Sequence, residues 1–139
     1  MPVPFTGGCA CGAIRYESSA APLAVLNCHC RDCQRSSGTG FTTVAIVPTD
    51  SLRLLQGTPK RHLSTAESGN EVRREFCAEC GTPLFAGGGI PAQFIAIKVG
   101  SLDDPSWCAP MLDIWTQSAQ PWDLMNHSLP KFPKNIPPR

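Results

Sequence analysis

Apolar and polar positions alternate along this chain in short runs separated by turn-forming residues. GAIRYES (12–18), LAVLN (23–27), FTTVAIV (41–47), SLRLL (51–55), EVRREF (71–76) and FIAIKVG (94–100) carry β-branched or aromatic residues and are bounded by Gly, Pro, Ser or Asp. Each therefore reads as a strand. FIAIKVG alternates less cleanly than a half-exposed strand should, which points to burial on both faces. A short helical turn is expected at Arg31–Ser37, and Pro48, Pro59, Pro83, Pro105 and Pro110 interrupt the chain too often for long helices. The proline-rich ending LPKFPKNIPPR (129–139) is expected to run extended over the surface. With no internal repeat and no linker, the pattern predicts one mostly β, antiparallel domain spanning 1–139.

Composition narrows the function classes. A net charge of +1, with basic residues scattered, leaves no footprint for nucleic acid or an anionic membrane. No apolar stretch approaches the roughly 20 residues of a membrane span. The start, MPVPFTGGCACG, lacks a basic region followed by an apolar one, so the expected location is the cytoplasm. In a reducing compartment, clustered cysteines bind metal or do redox chemistry more often than they form disulfides.

Seven of the eight cysteines fall into three clusters: Cys9 and Cys11, then Cys28, Cys30 and Cys33, then Cys77 and Cys80. C-x-x-C followed by glycine is a metal-knuckle signal, because a glycine at positive φ lets two thiolates face one ion. The pairing with least strain joins the two clusters that end in glycine, so Cys9, Cys11, Cys77 and Cys80 form a closed, structural four-thiolate site. Cys28, Cys30 and Cys33 are then left as a three-thiolate set, the pattern of a catalytic zinc site with an exchangeable fourth position. The competing reading is a second closed site completed by Cys108, His29, His62 or His127. His29 lies between two ligands and should point away from the ion, and isolated Cys108 reads as a small buried hydrophobe.

The segments GGCACGAIRYE (7–17), CHCRDCQRSSGTGF (28–41) and FCAECGTPLF (76–85), with IWTQSAQPW (114–122) and LPKF (129–132), resemble the glutathione-dependent formaldehyde-activating enzyme (Gfa-like) family. The resemblance implies coiled antiparallel sheets, a β-tent similar to the fold of a zinc-binding Rab-associated exchange factor. It implies two zinc ions, structural on Cys9, Cys11, Cys77 and Cys80, and catalytic on Cys28, Cys30 and Cys33. It further implies a carbon–sulfur lyase that condenses glutathione, or a similar thiol, with formaldehyde. The alternatives are another thiol and electrophile pair, or a zinc-stabilised binding module without turnover. One departure stands out: many relatives carry histidine where this chain has Asp113.

Arg31 and Arg35, flanking Cys33, and Gln34 are candidate substrate contacts. Trp115 and Trp122 are candidate pocket walls, though aromatic residues in β domains more often belong to the core. GGGI (87–90) lacks the Lys-Ser/Thr of a phosphate loop and reads as a turn between strands.

Overall fold

The computed structural model describes residues 2–66 and 68–137. Within these described residues, ten strands form two sheets. The smaller contains β1 (Phe5–Gly8), β2 (Arg15–Ser18) and β5 (Leu52–Gln56) in that order. The larger has the order β10-β3-β4-β9-β8-β7-β6, built from β3 (Ala24–Cys28), β4 (Thr42–Pro48), β6 (Lys60–Thr65), β7 (Glu71–Phe76), β8 (Pro83–Gly87), β9 (Phe94–Lys98) and β10 (Leu112–Ile114). All pairings are antiparallel except β10 with β3, where Asp113 lies beside Asn27 and Ile114 beside Cys28. The fold is thus mostly β, with one helix, α1 (Arg31–Ser37).

The strand period of two sorts the large sheet into two faces. Val25, Ala45, Val47, Phe85, Ile95 and Ile97 point one way and pack with Phe5, Ile14 and Tyr16 of the small-sheet side to form the main core. Tyr16 is fully buried there, its ring edge-on to Phe85 and its hydroxyl 2.6 Å from Ser101 Oγ. Cys108 joins this core, as expected of a small apolar side chain. The opposite face carries Leu26, Cys28, Val44 and Ala96, which pack with Cys30 and Trp115. β9 sits in the middle of the sheet, and Ile95–Lys98 are all buried, which explains why its alternation is blurred.

Two glycines set the cysteine turns. Gly12 (φ 81) and Gly81 (φ 79) follow Cys11 and Cys80, and their N–H groups donate to the carbonyls of Cys9 and Cys77 at 3.2 and 2.9 Å. GGGI leads out of β8 as a turn towards β9. The C-terminal segment runs extended beside β10: Asp113 N donates to Pro130 O, Phe132 N to Asp113 O, and Trp115 N to Lys134 O, at 2.9 to 3.0 Å. Contrary to a purely superficial tail, it reaches a cavity wall through Asn135. Its last two residues lie outside the described ones.

Candidate metal centres and active-site cavity

Cys9, Cys11, Cys77 and Cys80 converge with all four sulfurs within 4.8 Å of one another. The β1–β2 loop supplies the first pair and the turn between β7 and β8 the second. Cys9 Sγ lies 3.6 Å from Cys11 Sγ, and Cys11 Sγ lies 3.7 Å from Cys77 Sγ. These separations match the edge of about 3.8 Å for a sulfur tetrahedron around zinc at about 2.3 Å. Ile14 N donates to Cys9 Sγ at 3.2 Å, the kind of bond that stabilises thiolate charge. Thr82 beside Cys80, both through its hydroxyl and its backbone N–H, pulls that thiol down to about 5.

Cys28, Cys30 and Cys33 form the second cluster, again within 4.8 Å, at the end of β3 and the start of α1. Cys30 is the N-cap of the helix, and its sulfur accepts from Cys33 N at 3.2 Å. Hydrogen bonds within the trio divide its protons unequally. Those from Cys28 and Cys30 hold the Cys33 thiol down at about 3 against its burial, helped by the positive charges of Lys98 and Arg74. Cys28 is pushed up by the same thiol contacts and by burial. Either cluster could hold a metal ion, and all eight cysteines are free thiols.

Among the described residues, no fourth histidine, cysteine or carboxylate joins the trio. His29 is fully buried and turned away: Nδ1 lies 2.6 Å from Asp123 Oδ2, and Nε2 lies 2.9 Å from Asp113 Oδ1. Asp113 also accepts from Lys131 Nζ at 2.7 Å and Asn27 Nδ2 at 3.1 Å. Burial pushes the Asp113 carboxyl up, but the bonds from His29, Lys131 and Asn27 outweigh it and hold it below the usual carboxylate range. Asp113 thus braces the backbone that carries Cys28 and Cys30.

The trio opens onto a cavity of about 150 Å³. Its floor is the second face of the large sheet, where β3, β4, β9, β8 and β7 contribute alternate residues. Trp115, Ile114 and Asn135 form one wall, and Ala66, Ser68, Gly89 and Ile90 line another. Trp115 is held in the left-handed region (φ 57), with its indole N–H donating to Asn135 Oδ1 at 2.8 Å. Among the described residues two cations reach the cavity, Lys98 from β9 and Arg74 from β7. Lys98 is buried and donates to Thr42 Oγ1 at 3.1 Å; burial pulls its ammonium below the usual lysine value, opposed by Cys33. Arg74 donates from Nη1 to Ser64 Oγ at 3.2 Å, while its buried Nε has no partner.

The other candidate side chains lie elsewhere. Arg31 and Arg35 line a shallow depression with Asp32, Thr65, Ala66 and Ser118. Positions 31 and 35 share one side of α1, roughly opposite position 33, as the helical period dictates. Gln34 is buried, and its side-chain amide donates to His29 O at 2.8 Å and Ser118 O at 3.0 Å. Trp115 walls the cavity, whereas Trp122 is 66% exposed and packs near Gly40. Lys98 and Arg74 escaped the sequence reading, although each left a signal: a charge inside a buried apolar run, and a charge between two apolar residues of one strand face.

Two sheets, one short helix and two cysteine clusters, one closed on itself and one facing a cavity, define a small β protein built around thiolate sites. Comparison with known proteins names the family. Residues 4–118 match the model of the glutathione-dependent formaldehyde-activating enzyme family, and the chain belongs to it. Similar curated proteins come from Phaeosphaeria nodorum, 30% identical, and Penicillium rubens, 31% identical, both provisionally named glutathione-dependent formaldehyde-activating enzymes. Each match covers 86 residues, 58% of this chain and 44% of the relative, so the chain spans less than half the length of either. A crystal structure of a Rhodobacter sphaeroides protein shares the fold with a TM-score of 0.57 at 20% identity, covering 91% of this chain and 98% of that one. Among the described residues no helix is long and apolar enough to cross a membrane.

Proposed function

We propose that the protein is a zinc-dependent carbon–sulfur lyase-type enzyme that joins a thiol to a small aldehyde, a reading supported by its membership of a family named for glutathione-dependent activation of formaldehyde. The observation that carries this reading is the contrast between the two clusters. Four cysteines close on one another, whereas three converge beside a cavity with no fourth ligand among the described residues. Three protein ligands and an exchangeable position are the pattern of catalytic zinc, and four are that of structural zinc.

The donor sets fit zinc: all are thiols, the Cys9–Cys11 and Cys11–Cys77 separations suit a zinc tetrahedron, the sulfurs of the trio converge within 4.8 Å, and backbone N–H groups donate to Cys9 and Cys30. Cys28, Cys30 and Cys33 would hold the catalytic ion, which lowers the pKa of a bound thiol. The chain's own contributions are positional. β3 and α1 fix the three sulfurs, and the His29–Asp113–Asp123 arrangement locks the loop between them. Apolar side chains from β3, β4, β7 and β9 line the cavity beside the trio. Lys98 and Arg74, which line the cavity, supply positive charge near the oxygen that gains charge when a carbonyl is attacked. Arg31 and Arg35 remain candidate contacts for substrate groups that extend beyond the cavity, with Gln34 holding their helix in place.

The test measures metal content and thiol-dependent consumption of formaldehyde in the intact chain and in Cys33→Ser. Two zinc ions and turnover are expected for the first; one zinc ion and loss of turnover by at least about a hundredfold for the second. Undiminished turnover by a folded Cys33→Ser protein lacking the second ion would sink the mechanism.

A further inference from the structure

The floor of the cavity contains a gap in an otherwise well-filled sheet face. Ala86 on β8 and Ala96 on β9 are cross-strand partners, and Gly87 and Gly89 also border the cavity. Around these small residues stand Leu26, Val44, Ile46, Val72, Ile90 and Ile114. Larger side chains at the two alanines would fill the space, so the gap follows directly from the residues chosen there.

Polar side chains gather around the cysteines, with Ser68 and Asn135 the other polar residues of the described lining. Cys28, Cys30, Cys33, Thr42, Lys98 and Arg74 bring the sulfurs and the cations to the cavity, with Cys33 under the direct electrostatic influence of both cations. None of the described lining residues is acidic.

Building on the thiol-binding reading of the Cys28–Cys30–Cys33 site, we infer that the thiol this cavity accommodates is compact and apolar, with an aryl or alkyl body over Ala86 and Ala96 and its sulfur directed at the three cysteines. A cavity of about 150 Å³ lined by apolar side chains is the size that holds a benzene-sized molecule. Glutathione is a tripeptide with two carboxylates, an ammonium and two amides. The apolar floor offers these groups no hydrogen bonds, and burying them unpaired costs more than the contacts return. Its body would have to stay outside the cavity, leaving the gap unfilled.

Calorimetric titration of the zinc-loaded full chain, under reducing and anaerobic conditions, tests this with phenylmethanethiol, glutathione and phenylmethanol. The expected result is that phenylmethanethiol binds at least about tenfold more tightly than either of the others. Ala96→Phe should weaken phenylmethanethiol by roughly tenfold or more, with glutathione binding and zinc content unchanged. Ala86→Leu, a smaller intrusion at the partnered position, provides the same reading if Ala96→Phe does not fold. Glutathione binding as tightly as phenylmethanethiol, or indifference of phenylmethanethiol to both folded variants, overturns the inference while leaving a thiol-binding enzyme. Equal binding of phenylmethanol and phenylmethanethiol overturns the orientation towards the cysteines and with it the inference. Failure of both thiols to bind a protein holding two zinc ions removes the inference together with the functional reading beneath it.

Discussion

Asp103 ties the small sheet to the segment that follows β9. Its carboxylate accepts from Thr6 Oγ1 at 2.6 Å and from Arg15 Nη1 at 2.8 Å, and Arg15 foremost, with Thr6, holds its pKa at about 2. Because the folded value lies below the ordinary 3.8, the stabilisation is complete above about pH 4 and disappears as pH falls through about 2. Both side chains are more than a third exposed, so solvent screens the pair and the contribution is small. Asp103→Asn is therefore expected to lower the urea midpoint modestly at pH 6 and to match the unmodified chain near pH 1.5, where metal loss affects both proteins alike. An unchanged gap at the acid end would assign the effect to something other than the ion pair.

At the level of the elements, the boundary of α1 was readable because its ends are local chemistry: Cys30 caps the first turn, and Gly38 closes the last at φ 76 with its N–H on Gln34 O. The same holds for the glycines of the two cysteine turns. Gly81 has open space around an added Cβ, so Gly81→Ala should cost only the left-handed backbone penalty, about 1 to 2 kcal/mol. Gly57 also has positive φ (73), but its Cβ would collide with the carbonyl of Ala13, so Gly57→Ala should be clearly worse in a paired chemical denaturation experiment. The elements that escaped prediction lack such local marks. KRHLST of β6 is an exposed edge with no apolar face, β8 opens on a proline, and β10 is three residues long and chosen by its parallel partner β3. The cysteine ligands were legible from their spacing. Lys98 and Arg74 were not, because only the register of β7, β8 and β9 brings them to one cavity.

For the whole molecule, the two clusters differ in what they join. Cys9 and Cys11 belong to the small sheet's hairpin, whereas Cys77 and Cys80 follow β7 of the large sheet. A metal held by these four therefore cross-links the two sheets over a sequence separation of 66 residues between Cys11 and Cys77. Cys28, Cys30 and Cys33 sit within one β3–α1 connection, so a metal there constrains only a few residues. Loss of the first ion releases a long-range tie, and loss of the second releases a local one; closing the longer loop removes more chain entropy. Cys80→Ser is expected to cost at least about 3 kcal/mol and to raise hydrogen exchange in β1 and β2 as well as in the turn at Cys77. Cys33→Ser is expected to cost less than about 1 kcal/mol, with exchange changed only around α1 and the cavity. Cys33→Ser matching Cys80→Ser in both readouts would show that the trio also holds the sheets together, and the division into a structural and a chemical centre would then fail.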